Sequence, residues 1–391
     1  MPEVVIVGAG IVGLSTAFQL VQRGVRDVTI VERRHVGAGA SGKSGAIIRT
    51  HYSNEPETRL ALEGLEFFRA FEDRVGVACQ FVETGQLVFA DPGDIAALEA
   101  NLAIQRSLGI PARIVSADDL RDIDGSVSVE DGAVVGYDPT AGVVDGMAAC
   151  NAFATVLERL GIEIRLDTTV TAIRHAGGGV TGVATTAGDI EADHVVIAPG
   201  GWAHALLRPL GIDLPMVPAT SRIAVFRWPH DRDKRHPVAI DHRNGLWIRP
   251  IFGEHTLLGA EWGVRREVDD PDRLDETIDQ AYVELCREQL SLRYPVMRRA
   301  VGRGGWTGLV MRSIDSRPVI GPFAGYDGLL GLVGDSGTCF KTAPAIGRAL
   351  AELVTTGASE FDLSPFHASR FDGGGRWVDA TETASSATIS R

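Results

Sequence analysis

The apolar positions open as an unbroken run, Val4-Val5-Ile6-Val7. After Gly8-Ala9-Gly10-Ile11-Val12-Gly13 they change to helical spacing, which lasts until a second apolar run, Val28-Thr29-Ile30-Val31, ended by Glu32. A short apolar run bounded by glycine predicts a strand buried on both faces, and the helical spacing predicts a crossover helix, so residues 4–32 read as a βαβ unit. Helical periodicity then covers about Glu55 to Val75, Asp94 to Leu108, Ala117 to Ile123 and Asp145 to Leu160, the last leading into Glu163-Ile164-Arg165-Leu166. Short strands are expected at Gln86–Phe89, Thr169–Arg174, Gly179–Thr186 and Asp193–Ala198, and the β-branched, aromatic stretch from Pro218 to Glu261 predicts an antiparallel sheet. Pro271 to Tyr294 reads as helix, and after Ala300 the pattern is strand, loop, strand, Gly334 and a closing helix through about Thr355. No segment repeats another. The small, polar tail predicts disorder from about residue 374.

The six residues between the first strand and helix carry specific chemistry. Gly8 permits the tight turn, Gly10 lets the backbone approach a pyrophosphate, and Gly13 lets the helix pack closely on the strand. The helix N-terminus, entered through Ile11 and Val12, then turns N–H groups toward the phosphates. Glu32, at the end of the second strand, can accept hydrogen bonds from an adenosine ribose and would repel a 2′-phosphate. The unit is not completed locally, because its remaining strands fall near 195 and 333. The cofactor domain is therefore assembled from three separated segments.

Charge and cysteine content narrow the function. The net charge of −13 argues against nucleic acid or an anionic membrane as partner. No apolar stretch approaches the roughly 18 residues that would span a bilayer, and the glycine fingerprint begins too early for a cleavable signal peptide, so a cytoplasmic location is expected. Cys79, Cys150, Cys286 and Cys339 are far apart and form no metal spacing, so no metal is expected and reduced core thiols are.

Four further segments favour a flavin over a nicotinamide. The loop Gly37 to Gly45 offers many backbone N–H groups, with Ser41 and Ser44 as hydroxyl donors, to an extended cofactor. Val170 is placed to bracket an adenine through its backbone. The strand Val195-Val196-Ile197-Ala198 ends in Pro199-Gly200-Gly201-Trp202, small residues that permit close approach. Gly331-Leu332-Val333-Gly334-Asp335-Ser336-Gly337 runs toward a helix whose N-terminus favours negative charge on a reduced flavin ring.

On these residues the chain resembles the D-amino-acid-oxidase-like superfamily of FAD enzymes, most closely the sarcosine oxidase branch, including the β subunits of multimeric sarcosine oxidases. The resemblance spans about residues 3 to 365. It is carried most specifically by Gly42-Lys43-Ser44-Gly45-Ala46-Ile47-Ile48-Arg49, Pro199-Gly200-Gly201-Trp202, Asp315-Ser316-Arg317-Pro318-Val319-Ile320-Gly321 and Gly337-Thr338-Cys339-Phe340-Lys341. It implies an α/β fold: an FAD-binding Rossmann-like domain of the glutathione-reductase type (1–88, 147–218 and 315–372) plus a substrate domain with an antiparallel β-sheet (89–146 and 219–314), ahead of a disordered tail, 373–391. It also implies hydride transfer from the carbon beside a neutral amine to flavin N5, giving an imine that hydrolyses, with oxygen or an electron carrier as acceptor. The cofactor-binding set expected from the segments and the resemblance together is Gly8, Gly10, Ile11, Val12, Gly13, Glu32, Arg33, Ser41, Gly42, Lys43, Ser44, Val170, Pro199, Gly200, Trp202, Gly334, Gly337, Thr338, Cys339, Phe340 and Lys341.

Arg49 and Lys341 fall where the sarcosine oxidases hold the substrate carboxylate. His51 and Tyr52 follow Arg49 and either line the pocket or contact the ring edge, the alternative for His51 being a hydrogen-bonded structural role. Glu261 takes roughly the place of a family histidine, and Leu257 that of a lysine used for oxygen activation. Glu261 either favours a cationic substrate or pairs with Arg249 or Arg222. Residues 306–311 lack the cysteine that attaches the flavin in monomeric sarcosine oxidases, and residues 41–44 lack the histidine of the dimethylglycine enzymes, so the FAD is expected to be non-covalent. The expected substrate is a small secondary or N-methylated amino acid. Two other functions fit the same residues: a 2-hydroxy acid dehydrogenase with His51 as base, and a flavoprotein subunit active only in a hetero-complex. A homo-oligomer is equally compatible.

Overall fold

The computed structural model describes residues 2–130, 132–231, 235–251, 253–260 and 265–379. The opening unit forms as its pattern predicts. Strand Val4–Val7 pairs in parallel with Val28–Val31, joined by helix α1 (Ile11–Gln22). Three further helices frame the site: α2 (Glu55–Arg69), α3 (Gly146–Arg159) and α4 (Ala343–Thr356). The parallel sheet continues outward through Glu163–Arg165 on one side and through His194–Ile197 and Leu329–Val333 on the other, with Val319–Pro322 as an antiparallel edge. Val5, Ile6, Ile30, Val195, Val196 and Ile197 are buried, as strands covered on both faces require. The strand near 195 pairs directly with the first strand, and the strand near 333 pairs with it in turn, so segments far apart in sequence share one sheet.

The second sheet has eight strands, in the order 301–313, 216–227, 255–260, 246–251, 238–241, 86–90, 134–138 and 113–115. It is antiparallel except for one pair, Val238–Asp241 beside Gln86–Ala90, which is parallel. Two expected domain boundaries fall inside its strands. The break at 88 cuts strand Gln86–Ala90, and the break at 218 cuts strand Met216–Arg227, which pairs along its length with Val301–Ser313. Residues 86–88 and 216–218 thus belong to the larger sheet.

Local chemistry explains where helices start and stop. Asn54 caps α2 by accepting the Glu57 N–H at 2.9 Å, and Asp145 caps α3 by accepting the Ala148 N–H at 2.8 Å. The helix expected over 55–75 is interrupted at Ala70 and resumes as Phe71–Val75, closed by Gly76 at φ 85°. The helix expected over 271–294 is a short turn, Pro271–Arg273, followed by Gln280–Arg293, because Asp279 caps the later start. Phe71 packs edge to face on Phe67 and Phe153, while Phe68 stacks on Phe340 at 5.9 Å, which ties α2 to the segment carrying Lys341.

The tail departs from expectation up to residue 379. Trp377 packs edge-on against Phe366 at 5.2 Å, and its N–H donates to Asp315 at 3.1 Å, so residues 374–379 are held against the domain. Their composition is polar, but the one aromatic has a seat. The rest of the expected disordered tail lies outside the described residues. Among the described residues no helix is long and apolar enough to cross a membrane.

Candidate active site

A cavity of about 760 Å³ lies between the two sheets, toward the upper end of ordinary ligand pockets at ~300–1,000 Å³. The carboxyl ends of Val4–Val7 and Val28–Val31 open onto it, as expected for a parallel sheet. Gly8 sits at φ 107°, and a Cβ there would stand 2.5 Å from the Ala198 carbonyl oxygen. Gly10 and the first α1 residues, Ile11 and Val12, form the wall. Ser41 Oγ accepts the Ile11 N–H at 3.0 Å, which binds the 37–45 loop to the helix N-terminus. Glu32 is fixed by accepting from the Ala9 N–H at 3.0 Å and the Arg34 N–H at 2.9 Å, leaving each oxygen a further lone pair for a ribose hydroxyl.

The cavity brings together nearly all of the expected cofactor set: Gly8, Gly10, Ile11, Val12, Glu32, Arg33, Ser41, Lys43, Ser44, Val170, Pro199, Gly200, Trp202, Gly334, Gly337, Thr338, Cys339, Phe340 and Lys341 line it, and so does Arg49. Gly13 and Gly42 stand behind the wall. A Cβ on Gly13 would lie 2.0 Å from the Gly8 oxygen, and one on Gly42 would lie 2.2 Å from Met147 Sδ, so each glycine closes packing beneath the cavity. The final helix begins at Ala343, two residues past Lys341, so Gly337 to Lys341 reach the cavity as a turn ahead of the helix.

His51 does not line the cavity. Its ring is buried beside Gln105 Oε1 at 3.3 Å and Asn101 Nδ2 at 3.3 Å, on the side toward helix Ile95–Ser107. Glu261 lies outside the described residues. The arginines named as its partners have other contacts: Arg249 donates to the Gly45 and Val144 carbonyls at 2.6 and 2.8 Å, and Arg222 pairs with Asp279 at 3.0 Å. Leu257 is buried in the larger sheet and is not part of the wall.

The two expected carboxylate-binding cations meet. Arg49 and Lys341 are 7% and 5% exposed, and each sits 5.1 Å from the centre of the same Tyr52 ring. Arg49 donates to the His51 carbonyl, and Lys341 Nζ donates to the Thr338 carbonyl at 2.9 Å. Burial, reinforced by the Arg49 charge, holds the Lys341 ammonium well below its ordinary pKa. An anion between the two cations would relieve their repulsion and restore the lysine charge. Gly64 of α2 is the seat of this arrangement, since a Cβ there would stand 1.8 Å from the Lys341 carbonyl oxygen.

Several wall residues carry no local sequence signal because long-range contacts place them. Asp272 binds both Trp202 Nε1 and Arg33 at 2.7 Å, while Arg33 stacks on the Trp202 ring at 4.7 Å. Glu276 takes Lys43 at 2.7 Å and Arg34 at 3.2 Å, so residues 272–276 bridge to the cofactor side of the cavity. Trp247 lies against Gly45 and Gly259, where added Cβ atoms would meet its ring at 2.7 and 2.4 Å.

Asp335 also faces the cavity. Burial pushes its carboxyl up to about 6, against the N–H groups of Met311 and Gly337 at 3.2 and 3.3 Å, which favour the anion. In the unfolded chain this group ionises near 3.8, so between 3.8 and about 6 the native state holds the extra proton and raising the pH costs stability. Asp335→Asn is expected to remove that fall. Thermal midpoints measured across the window should decline more steeply in the parent than in the variant, and parallel curves would refute the assignment.

A Rossmann-type sheet whose glycine cradle, strand-end carboxylate and extended cavity adjoin a second, mainly antiparallel sheet has the build of a dinucleotide-dependent oxidoreductase. Residues 3–353 match the family described as FAD dependent oxidoreductase (DAO), and the chain belongs to that family. It is 30% identical over 372 residues to a glycine oxidase of Pseudomonas aeruginosa, covering 93% of this chain and 98% of that one. It is 26% identical to the human peroxisomal sarcosine oxidase, covering 94% and 96%. Among solved structures, L-proline dehydrogenase from P. horikoshii superposes with a TM-score of 0.88 at 25% identity, covering 96% and 99%. The protein is an FAD-dependent amino acid oxidase or dehydrogenase, as the sequence motifs implied.

Proposed function

We propose that the protein oxidises the C–N bond of a small secondary or N-methylated amino acid whose carboxylate is gripped by Arg49 and Lys341. The observation that carries this reading is the convergence of both cations, which line the cavity, over the one Tyr52 ring buried behind them. Bound FAD would supply a two-electron acceptor for the hydride on the carbon beside the nitrogen. The protein's part is to hold the carboxylate and orient the C–H bond, and it needs no dedicated base if the amine binds neutral. The relatives named for glycine, sarcosine and L-proline support a small amino acid and include secondary amines.

A non-covalent FAD is supported by the absence of cysteine from 306–311 and of histidine from 41–44. The cofactor domain is proposed to comprise residues 1–85, 147–215 and 315–379. The substrate domain, carrying the larger sheet, takes the remainder of the chain up to 314. Oxygen or a carrier re-oxidises the flavin, and the cytoplasm is the proposed location. The hydroxy acid reading requires a base at His51, and the ring's position beside Gln105 and Asn101 speaks against it.

Anaerobic bleaching of the bound flavin at about 450 nm tests the proposal against N-methyl, cyclic and primary amino acids and 2-hydroxy acids. Bleaching by sarcosine or proline supports it. Bleaching by hydroxy acids alone refutes it, and bleaching by nothing until a partner protein is added would favour the complex-bound subunit.

A further inference from the structure

Behind the two cations, outside the cavity wall, lies a buried ionic cluster that the catalytic reading does not use. Arg317 is 2% exposed and donates to two carboxylates, Glu57 and Asp379. It also donates to Ser53 Oγ at 3.3 Å and lies 5.1 Å from the Trp377 ring. Ser53 in turn donates to Asp379. Of this cluster, the Glu57 charge is felt at both Tyr52 and Lys341.

We propose that the C-terminal segment Arg376–Asp379 is a positioning strap that holds the Arg49–Ser53 loop and α2, and through them Arg49 and Lys341, in the geometry that grips a substrate carboxylate. The inference rests on the carboxylate reading above. The chain of contact is continuous. Asp379 fixes Ser53, which follows the Tyr52 ring on which both cations rest. Arg317 fixes Glu57 in the first turn of α2, and Gly64 of the same helix lies under the Lys341 carbonyl. The strap is secured separately, because Trp377 N–H and Arg370 both bind Asp315, at 3.1 and 2.8 Å.

None of Ser53, Glu57, Arg317, Trp377 and Asp379 lines the cavity, so none can touch the substrate. Their substitution reaches binding only by shifting the two cations or the charge around them. An exposed tail would carry no such burden. A buried carboxylate paired with arginine and serine costs desolvation, which its position beneath the site explains.

The test uses full-length Asp379→Asn with FAD bound. Acetate is titrated as a probe carboxylate by the change in flavin absorbance, and steady-state constants are measured with the amine that bleaches the flavin. The acetate Kd and the KM should rise at least about fivefold while kcat falls less than about twofold, a pattern of lost ground-state grip. Asp379→Glu should recover most of the loss. An acetate Kd equal to the parent's overturns the proposal, and so does a loss of FAD and kcat with KM unchanged, the mark of a merely structural role. If Asp379→Asn does not accumulate with flavin, Trp377→Phe is read by the same criteria. Arg49→Ala is the reference: should it too leave acetate binding untouched, the carboxylate reading fails rather than the strap.

Discussion

Arg49→Ala is expected to raise KM for the amino acid substrate at least about tenfold, and Lys341→Ala to do the same, with the bound flavin retained in both. A charge-assisted hydrogen bond contributes roughly 1.5–3 kcal/mol, which corresponds to about ten- to a hundred-fold in affinity. Both cations are nearly buried, so solvent screens them little and the upper part of that range applies to a carboxylate held between them. The two variants should differ in pH dependence. Arg49 is one cause of the depressed Lys341 pKa, so its removal lets the lysine stay charged to higher pH. KM of Arg49→Ala should therefore begin its rise at a higher pH than the parent's. Steady-state kinetics from pH 6 to 10 decide the matter, and parent-like KM in both variants would sink the proposed site.

The second large effect belongs to the cofactor. Gly13→Ala is expected to purify pale, with FAD affinity lowered at least about tenfold, because the new methyl would stand 2.0 Å from the Gly8 oxygen and 3.2 Å from Ile6 Cγ2. Backbone cannot yield as a flexible side chain can, so α1 must lift from the sheet and carry its N-terminus away from the pyrophosphate position. The ratio of flavin to protein absorbance after purification, followed by FAD titration of the apoprotein, measures the loss. Full flavin occupancy would show that the helix tolerates the shift.

How much of this was legible in the residues depends on distance along the chain. The opening βαβ unit could be read because its strand, glycines, helix and acid are consecutive and each has one physical use. The meeting of Arg49 and Lys341 followed only from resemblance, since 292 positions separate them and no local pattern links the two. The bridges from Asp272 to Arg33 and from Glu276 to Lys43 were invisible for the same reason. Nothing in the residues around Gly64 marks it, and only the fold reveals the Lys341 carbonyl resting on it. The tail was read from average composition, which hides what one tryptophan and one aspartate do when a partner awaits them. His51 follows Arg49 closely in sequence, but the chain has left its strand by then and the ring is taken up by Gln105 and Asn101 of a helix remote in sequence.

The parallel sheet also dictates an order of manufacture. Its strands are spelled out near residues 4, 28, 163, 194 and 329, so a ribosome must translate past residue 329 before the last of them exists. Until then the His194–Ile197 edge has no neighbour on its outer side, an apolar template for wrong pairing. Nascent chains stalled before residue 329 should therefore be clients for chaperones, and the flavin can be captured only after that strand has emerged.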